Sequence, residues 1–396
     1  MKQRIVWSWA IAILMLIGGN VFAEDTGKEV TDRLKQLEER MGVVEKGASS
    51  ISINGFVDTY YSYNFNKPDS NMNKIGAAIS NFDIYHNDFS INLAELVFSK
   101  TPTDSSPVGF RVDLDYGSTT ELVHCGTPSC PGGAAEEPFK NIQQAYVTWA
   151  TPIHLTLDLG KFVTHMGAEV IESKDNWNYT RGLLFCCAIP YYHAGLRVNY
   201  AISDMLFVNA YLLNGWNDVV ETNNMKTFGA QIGITPIKQV PIVLNWIGPE
   251  QSTAGGFEGR QVYDAIVSFL PTDSLSFMVN YDYGKQDPIG GGSSMKWTGV
   301  AAYARWAVDP CAIALRYEWT NDKDNVMYGA NTLGNGITTG PKVQEVTVTG
   351  EHKVAGNLLV RLEYRHDMAD KEIFEKEGAT FEKSQNRVVL GAIYSF

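Results

Sequence analysis

The chain has 396 residues, a formal net charge of −12 and a mean hydropathy of −0.15. That balance excludes a bundle of membrane helices, because each span needs roughly 20 consecutive apolar residues and none follows the N-terminus. It also makes nucleic acid a poor partner, since phosphates are held by Lys and Arg. Aromatic residues reach 12%, with 19 Tyr and 18 Phe. A polar chain rich in Tyr and Gly fits a membrane barrel, with lipid on one wall face, water on the other and aromatic girdles at both interfaces. A soluble β-sandwich or propeller would share this composition.

Residues 1–23 read as a secretory signal peptide. Lys2 and Arg4 precede the apolar run Ile5 to Ile17; Gly18, Gly19 and Asn20 break it, and Val21 and Ala23 supply small residues before a cut at Glu24. The run is too short for an anchor helix. In 24–50, Val30, Leu34, Leu37, Met41 and Val44 alternate at spacings of four and three, the seam of a short amphipathic or coiled-coil helix over 26–47. Residues 51–396 form the third segment.

That segment parses into sixteen period-2 strands: 51–64, 87–99, 107–116, 140–150, 154–163, 192–202, 205–213, 226–235, 240–248, 260–270, 274–284, 296–308, 311–320, 342–353, 357–367 and 386–396. Their connections alternate between long ones, such as 65–86, 117–139, 164–191 and 321–341, and tight ones at Thr151-Pro152, Ser203-Asp204 and Asp309-Pro310. Long loops at one rim and short turns at the other are the habit of outer-membrane barrels. The expected fold is all-β, a 16-stranded antiparallel transmembrane barrel. Glu95 falls in phase with Leu93 and Val97, which predicts a bulge or a register slip in that strand.

Mid-strand charges cannot face lipid without a cost of about 2–4 kcal/mol for a basic residue. The alternation therefore turns Asp58, Asp113, Asp115, Asp158, Asp264, Asp282, Glu318, Glu345, Glu351 and Glu363 inward, together with Arg111, Arg197, Arg305, Arg316, Arg361, Arg365 and Arg387. These are the candidate pore-lining residues. Ten acids against seven bases lean weakly toward cations, although cross-strand pairing would use many of them up. The long connection 164–191 carries Glu169, Glu172, Lys174, Asp175 and Arg181 and the apolar run Leu183, Leu184, Phe185. It is the candidate constriction loop. Of five cysteines, Cys125 and Cys130 share one loop and Cys186 and Cys187 another. Adjacent cysteines rarely pair, so cross-links between the loops, or within Cys125/Cys130, are the expected disulfides in an oxidising compartment.

Several segments carry a family resemblance. NGFVDTYYSYNFNKP, DFSINLAELVFSK, IQQAYVTWATP, LDLGKFVTHMGAEVIES, NWNYTRGLLF, PYYHAGLRVNYAISD and LNGWN resemble the type-two β-barrel porins, the OmpL-like group, over roughly 51–235. The resemblance implies a pore but no substrate. The last strand, with Val388, Leu390, Ala392, Tyr394 and Phe396 on one face, resembles the C-terminal signal read by the barrel-assembly machinery, which implies an outer-membrane location.

Enzymatic function finds no support. The seven histidines are scattered, and neither GxSxG, HExxH nor CxxCH occurs. No metal or cofactor is expected. The sequence predicts a porin for passive diffusion of ions and small hydrophilic solutes, in contact with outer-membrane lipid and, by analogy of size, a homotrimer. The alternatives are a non-conducting barrel acting as adhesin, receptor or structural protein, and a sugar-selective channel with an aromatic track drawn from Tyr60, Trp177, Tyr179, Tyr191 and Tyr192.

Overall fold

The computed structural model describes residues 50–79, 82–125, 137–252 and 256–396, together with Arg33 and Lys35. Arg33 and Lys35 are helical; the remainder of the predicted helix at 26–47 and the signal segment lie outside the described residues. From Ser52 onward the chain is one compact unit.

Its strands are β1 Ser52–Asn64, β2 Asp88–Lys100, β3 Val108–Tyr116, β4 Ile142–Ala150, β5 Leu155–Val163, β6 Tyr192–Ser203, β7 Leu206–Leu213, β8 Thr227–Ile234, β9 Ile242–Ser252, β10 Phe257–Phe269, β11 Leu275–Pro288, β12 Met295–Val308, β13 Cys311–Asn321, β14 Lys342–Ala355, β15 Leu358–Ala369 and β16 Ser384–Ser395. Each pairs antiparallel with its chain neighbours, and β1 pairs with β16, so sixteen strands close a barrel. Closure leaves no open edge, which a sheet in lipid requires. Two small hairpins, Lys74–Ile75 with Ala78–Ile79 and Phe374–Lys376 with Thr380–Glu382, stand outside the barrel wall.

Alternation sets the two wall faces. On β16, Arg387, Val389 and Ile393 are buried while Leu390 and Tyr394 are exposed. On β13, Ala314, Arg316 and Glu318 are buried while Ile313, Leu315 and Tyr317 are exposed. Exposed Leu, Ile, Val and aromatic side chains form the outer belt, and polar groups turn inward. The predicted bulge in β2 is present: the β1–β2 register shifts between Asp58 and Thr59, skipping Asn92. Phe89 and Ile91 point outward above it, and Leu93, Glu95 and Val97 are buried below it.

The loop expected at 249–259 is shorter than the sequence predicts. Glu250 still pairs with Arg260 and Ser252 with Phe257, so β9 and β10 continue well past Gly248-Pro249. The register is irregular around Pro249, which removes one ladder donor without ending the strand. Conversely, the outer loop after β3 begins with a helix that no periodicity announced, α1 Ser118–Cys125.

Leu390 faces outward opposite Tyr61 and Leu362. Leu390→Arg is expected to lower stability in lipid vesicles by about 2–4 kcal/mol. Urea unfolding reads this, and a loss below about 1 kcal/mol would show that the position does not meet lipid.

Candidate functional site: a loop drawn into the barrel

The connection 164–191 leaves β5 and crosses the barrel before returning at β6. A loop at membrane depth must find partners for its backbone groups inside the protein, and the inward wall residues supply them. Ala168 N donates to Asn280 of β11 (3.0 Å). Ser173 Oγ and Tyr179 OH donate to Asp58 of β1 (2.6 and 2.8 Å). Tyr179 N, Thr180 N and Thr180 Oγ1 donate to Glu363 of β15. Arg361 reaches the carbonyls of Ser173 and Asn176, Arg316 that of Thr180, and Arg365 that of Arg181.

Near its end the loop winds into one short helical turn, α2 Leu183–Cys187. The first N–H groups of a helix have no internal partner. Glu318 accepts from Leu183 N and Leu184 N, so a wall carboxylate caps the turn. Behind it, Trp297 of β12 donates its indole N–H to Ala188 O (3.1 Å). At the loop's start His165 stacks on Tyr211 of β7 (centroids 4.0 Å apart) with Nε2 on Trp246 O of β9. The loop thus takes partners from strands around the whole circumference.

The seventeen candidate pore-lining residues all stand on the inner side of the wall. Most are consumed by one another or by the loop. Arg316 bridges Glu345 and Glu169, each at 2.7 Å; Arg365 and Arg387 share Asp367 at 2.8 and 2.9 Å; and Arg361 and Arg305 share Glu351 at 2.7 and 2.9 Å. Arg111 pairs with Asp113 and Arg197 with Asp158, each at 2.9 Å. Acidic side chains also lie directly opposite each other in the ladder, among them Asp264 with Asp282, Glu95 with Asp115 and Glu318 with Glu345. Asn280 bridges the first by donating to both carboxylates, and Asn245 donates to Asp264.

Within the loop, Glu169 grips Arg316, Glu172 accepts from Gln143, and Arg181 is fully buried against Phe82 (4.5 Å). Lys174 pairs with Asp175 beside water. Leu183, Leu184 and Phe185 are buried in the main apolar cluster. The disulfide expectation is corrected: Cys186 is bonded to Cys187. Both cysteines of α2 are used in that bond, so neither is left for a bridge to the other loop. The Cys125/Cys130 alternative falls outside the described side chains.

Residue patterns did not single out the amides. Asn209, Gln231 and Asn245 hydrogen-bond in series across β7, β8 and β9 (2.7 and 2.8 Å), and the series runs on to Asp264 and Asn280. Arg197, Asn199, Asn209 and Gln231 stay half-buried, so this sector is the part of the inner wall that the loop leaves least covered. The clue was present as Asn or Gln at inward positions, but without charge it carried no weight.

Three outer loops interlock above. Gly76 N meets Ile373 O (3.2 Å) and Ala77 N meets Tyr328 O (2.8 Å). Ile75, Phe82, Tyr328, Ile373 and Phe374 are fully buried and continuous with Phe185 and Ile189. Asp322 holds the turn beneath by accepting from the N–H groups of Val326, Met327 and Tyr328; burial lifts its pKa to about 6 against those three donors. Tyr60 and Tyr179 pack in a second apolar cluster and Trp177 lies edge-on to Tyr303, so these members of the expected aromatic track are packing.

The family model of beta-barrel porin-2, OmpL-like, matches residues 50–396. The chain belongs to this porin family. It is an outer-membrane porin by family and fold. No curated protein matches its sequence. Solved structures similar to this porin include the anion-selective porin of Comamonas acidovorans, with TM-score 0.61 and 12% identity over 88% of this chain and 99% of that one. The outer membrane channel DcaP of Acinetobacter baumannii has TM-score 0.55 and 14% identity over 87% and 97%. The trimer form of OmpT of Vibrio cholerae has TM-score 0.53 and 13% identity over 87% and 99%.

Two changes test how this porin holds its loops. Arg316→Met leaves Glu169, Glu318 and Glu345 without their shared cation and is expected to cost about 3–5 kcal/mol in urea unfolding; a cost under about 1 kcal/mol would show that the network does not depend on it. Gly76 has φ of +63° and a Cβ there would stand 2.5 Å from Tyr328 O. Gly76→Val should part the loops and speed protease cleavage within 322–341 on folded protein, and an unchanged rate would refute the latch.

Proposed function

We propose that this porin passes ions and small hydrophilic solutes by passive diffusion, with a weak preference for cations and no chemical step. The observation that carries the reading is the half-covered polar sector along β5 to β10. There the wall offers amides, the Arg197–Asp158 pair, the buried Lys161 and, toward the mouth, Arg260 opposite Glu250, and Asp264 and Asp282 stand at its edge without a basic partner among the described residues. Amides give a wetted wall with little charge discrimination, and the unneutralised carboxylates give the cationic lean. The segment 164–191 acts as the constriction.

On this reading the N-terminal segment directs export and is cut before Glu24, Tyr394 and Phe396 present the assembly signal to the barrel-assembly machinery, and the barrel works as a homotrimer. The similarity to a trimeric OmpT supports the last point. The interlocked outer loops favour the alternative of a binding barrel only if no current flows.

Single-channel recording of refolded protein in a planar bilayer decides between the two. Discrete steps with a cation-favouring reversal potential are expected, and deletion of 168–188 should raise the conductance. Folded protein without current would sink the channel in favour of an adhesin or structural barrel. An anion-favouring reversal, or a folded deletion variant with unchanged conductance, would overturn the wall-charge and constriction assignments respectively.

A further inference from the structure

The outer mouth is not sealed everywhere. On the side away from the β1–β16 seam, a cavity of about 200 Å³ opens beside α2, lined among others by Tyr191, Trp216, Asn217, Arg260, Trp297 and Met327. It stands at the outer ends of β10 and β12, whose neighbours carry the amide series, so a solute entering by that sector meets it first.

Its lining has an uncommon hydrogen-bond balance. Asn217 spends its carbonyl oxygen on Tyr191 N and Tyr192 N (2.7 and 3.2 Å), and its Nδ2 makes no hydrogen bond among the described residues. Arg260 spends Nε on Gln286 (2.7 Å). Its guanidinium lies over Phe257 and Trp216, at 3.6 and 4.9 Å, and neither terminal nitrogen has a hydrogen-bond acceptor among the described residues. The Trp216 indole N–H is likewise unspent. Trp297 uses its N–H on Ala188 O, so only its ring is left to offer. The cavity therefore presents donors held rigidly between aromatic rings.

Charge narrows the ligand. Arg260 sits opposite Glu250 in the ladder and faces Asp218 as its second acidic neighbour. A guanidinium already matched by carboxylates attracts an anion poorly, and the donor-rich lining gives a cation no oxygen shell. What fits is a neutral ring that carries many acceptors and has apolar faces to lay on indole and phenol rings.

We propose that this outer cavity is a binding subsite for a single neutral carbohydrate ring, whose hydroxyl oxygens accept from Arg260, Asn217 and Trp216 while its C–H faces lie against Trp297 and Tyr191. The subsite deepens the porin reading, because it names the solute class held at the mouth before passage. It draws on residues that the aromatic track expected from sequence did not contain, Tyr191 apart.

The test is a titration of intrinsic tryptophan fluorescence in the refolded full chain with glucose, xylose, benzoate and phenol, alongside the bilayer recordings. Saturable change with the sugars is expected, weakened about tenfold in Trp216→Leu and in Arg260→Gln, with heat-modifiable gel mobility confirming that each variant is folded. Should Trp216→Leu fail to fold, Arg260→Gln carries the test. Absence of saturation by either sugar, tighter saturation by benzoate or phenol, or unchanged sugar affinity in a folded variant overturns the subsite. Current without sugar binding removes the subsite and keeps the porin; sugar binding without current keeps the subsite and removes the channel.

Discussion

The backbone of 164–191 lies at membrane depth without secondary structure of its own apart from α2 and a single 3-10 turn at Ser173–Asp175, so the N–H and C=O groups that the loop does not satisfy itself need partners from the wall. The structure meets that need with charge. Arg316, Arg361 and Arg365 donate to loop carbonyls while Glu318 and Glu363 accept from loop amides. Guanidinium forks suit the task because one side chain can serve a carboxylate and a carbonyl at once; Arg361 holds Glu351 and two loop carbonyls together. The inward charges of β13 to β15 are therefore first a scaffold, and only what they leave over is a pore.

That division explains the asymmetry of the lumen. The charged strands hold the loop, and the strands facing them across the barrel, β6 to β9, carry Asn and Gln in the equivalent inward places. These amides mostly satisfy one another in the ladder and meet the loop only near its start, at His165 O, as Asn280 of β11 does at Ala168 N, so most of that wall stays available to water. Above, the same loop end anchors the apolar core formed by Ile75, Phe82, Tyr328 and Phe374. The loop drawn into the barrel and the outer loops above it are thus one packed body, and loosening the grip on α2 would disturb both.

Much of this was legible in the sequence. Period-2 alternation located all sixteen strands. The phase of Glu95 disclosed the bulge at Asn92, because a carboxylate in step with apolar neighbours requires the strand to switch faces along its length. The inward arginines were legible because a charge on the lipid face is costly. What escaped were features set by tertiary contact. The β9–β10 hairpin outlasts Gly248-Pro249 because pairing resumes beyond it. The amide series has no charge to mark it. Lumen charges looked like an ion-selecting wall until the partners they hold became visible.

A channel whose wall charges are committed to its own loop selects differently from one whose charges face free water. An ion passing Arg316 meets a cation already matched by Glu169 and Glu345, and a neutralised pair projects little field beyond its own dimensions. The formal excess of acids over bases on the inner wall therefore overstates selectivity, because it counts those matched groups equally with Asp264 and Asp282, whose described partners are amides. Discrimination then shifts from net charge toward shape and hydrogen bonding along the amide-lined side. An amide-lined wall of that kind offers little charge by which to tell small neutral solutes from ions, and it leaves the most chemically particular contacts to the outer end, where the outer loops and α2 meet.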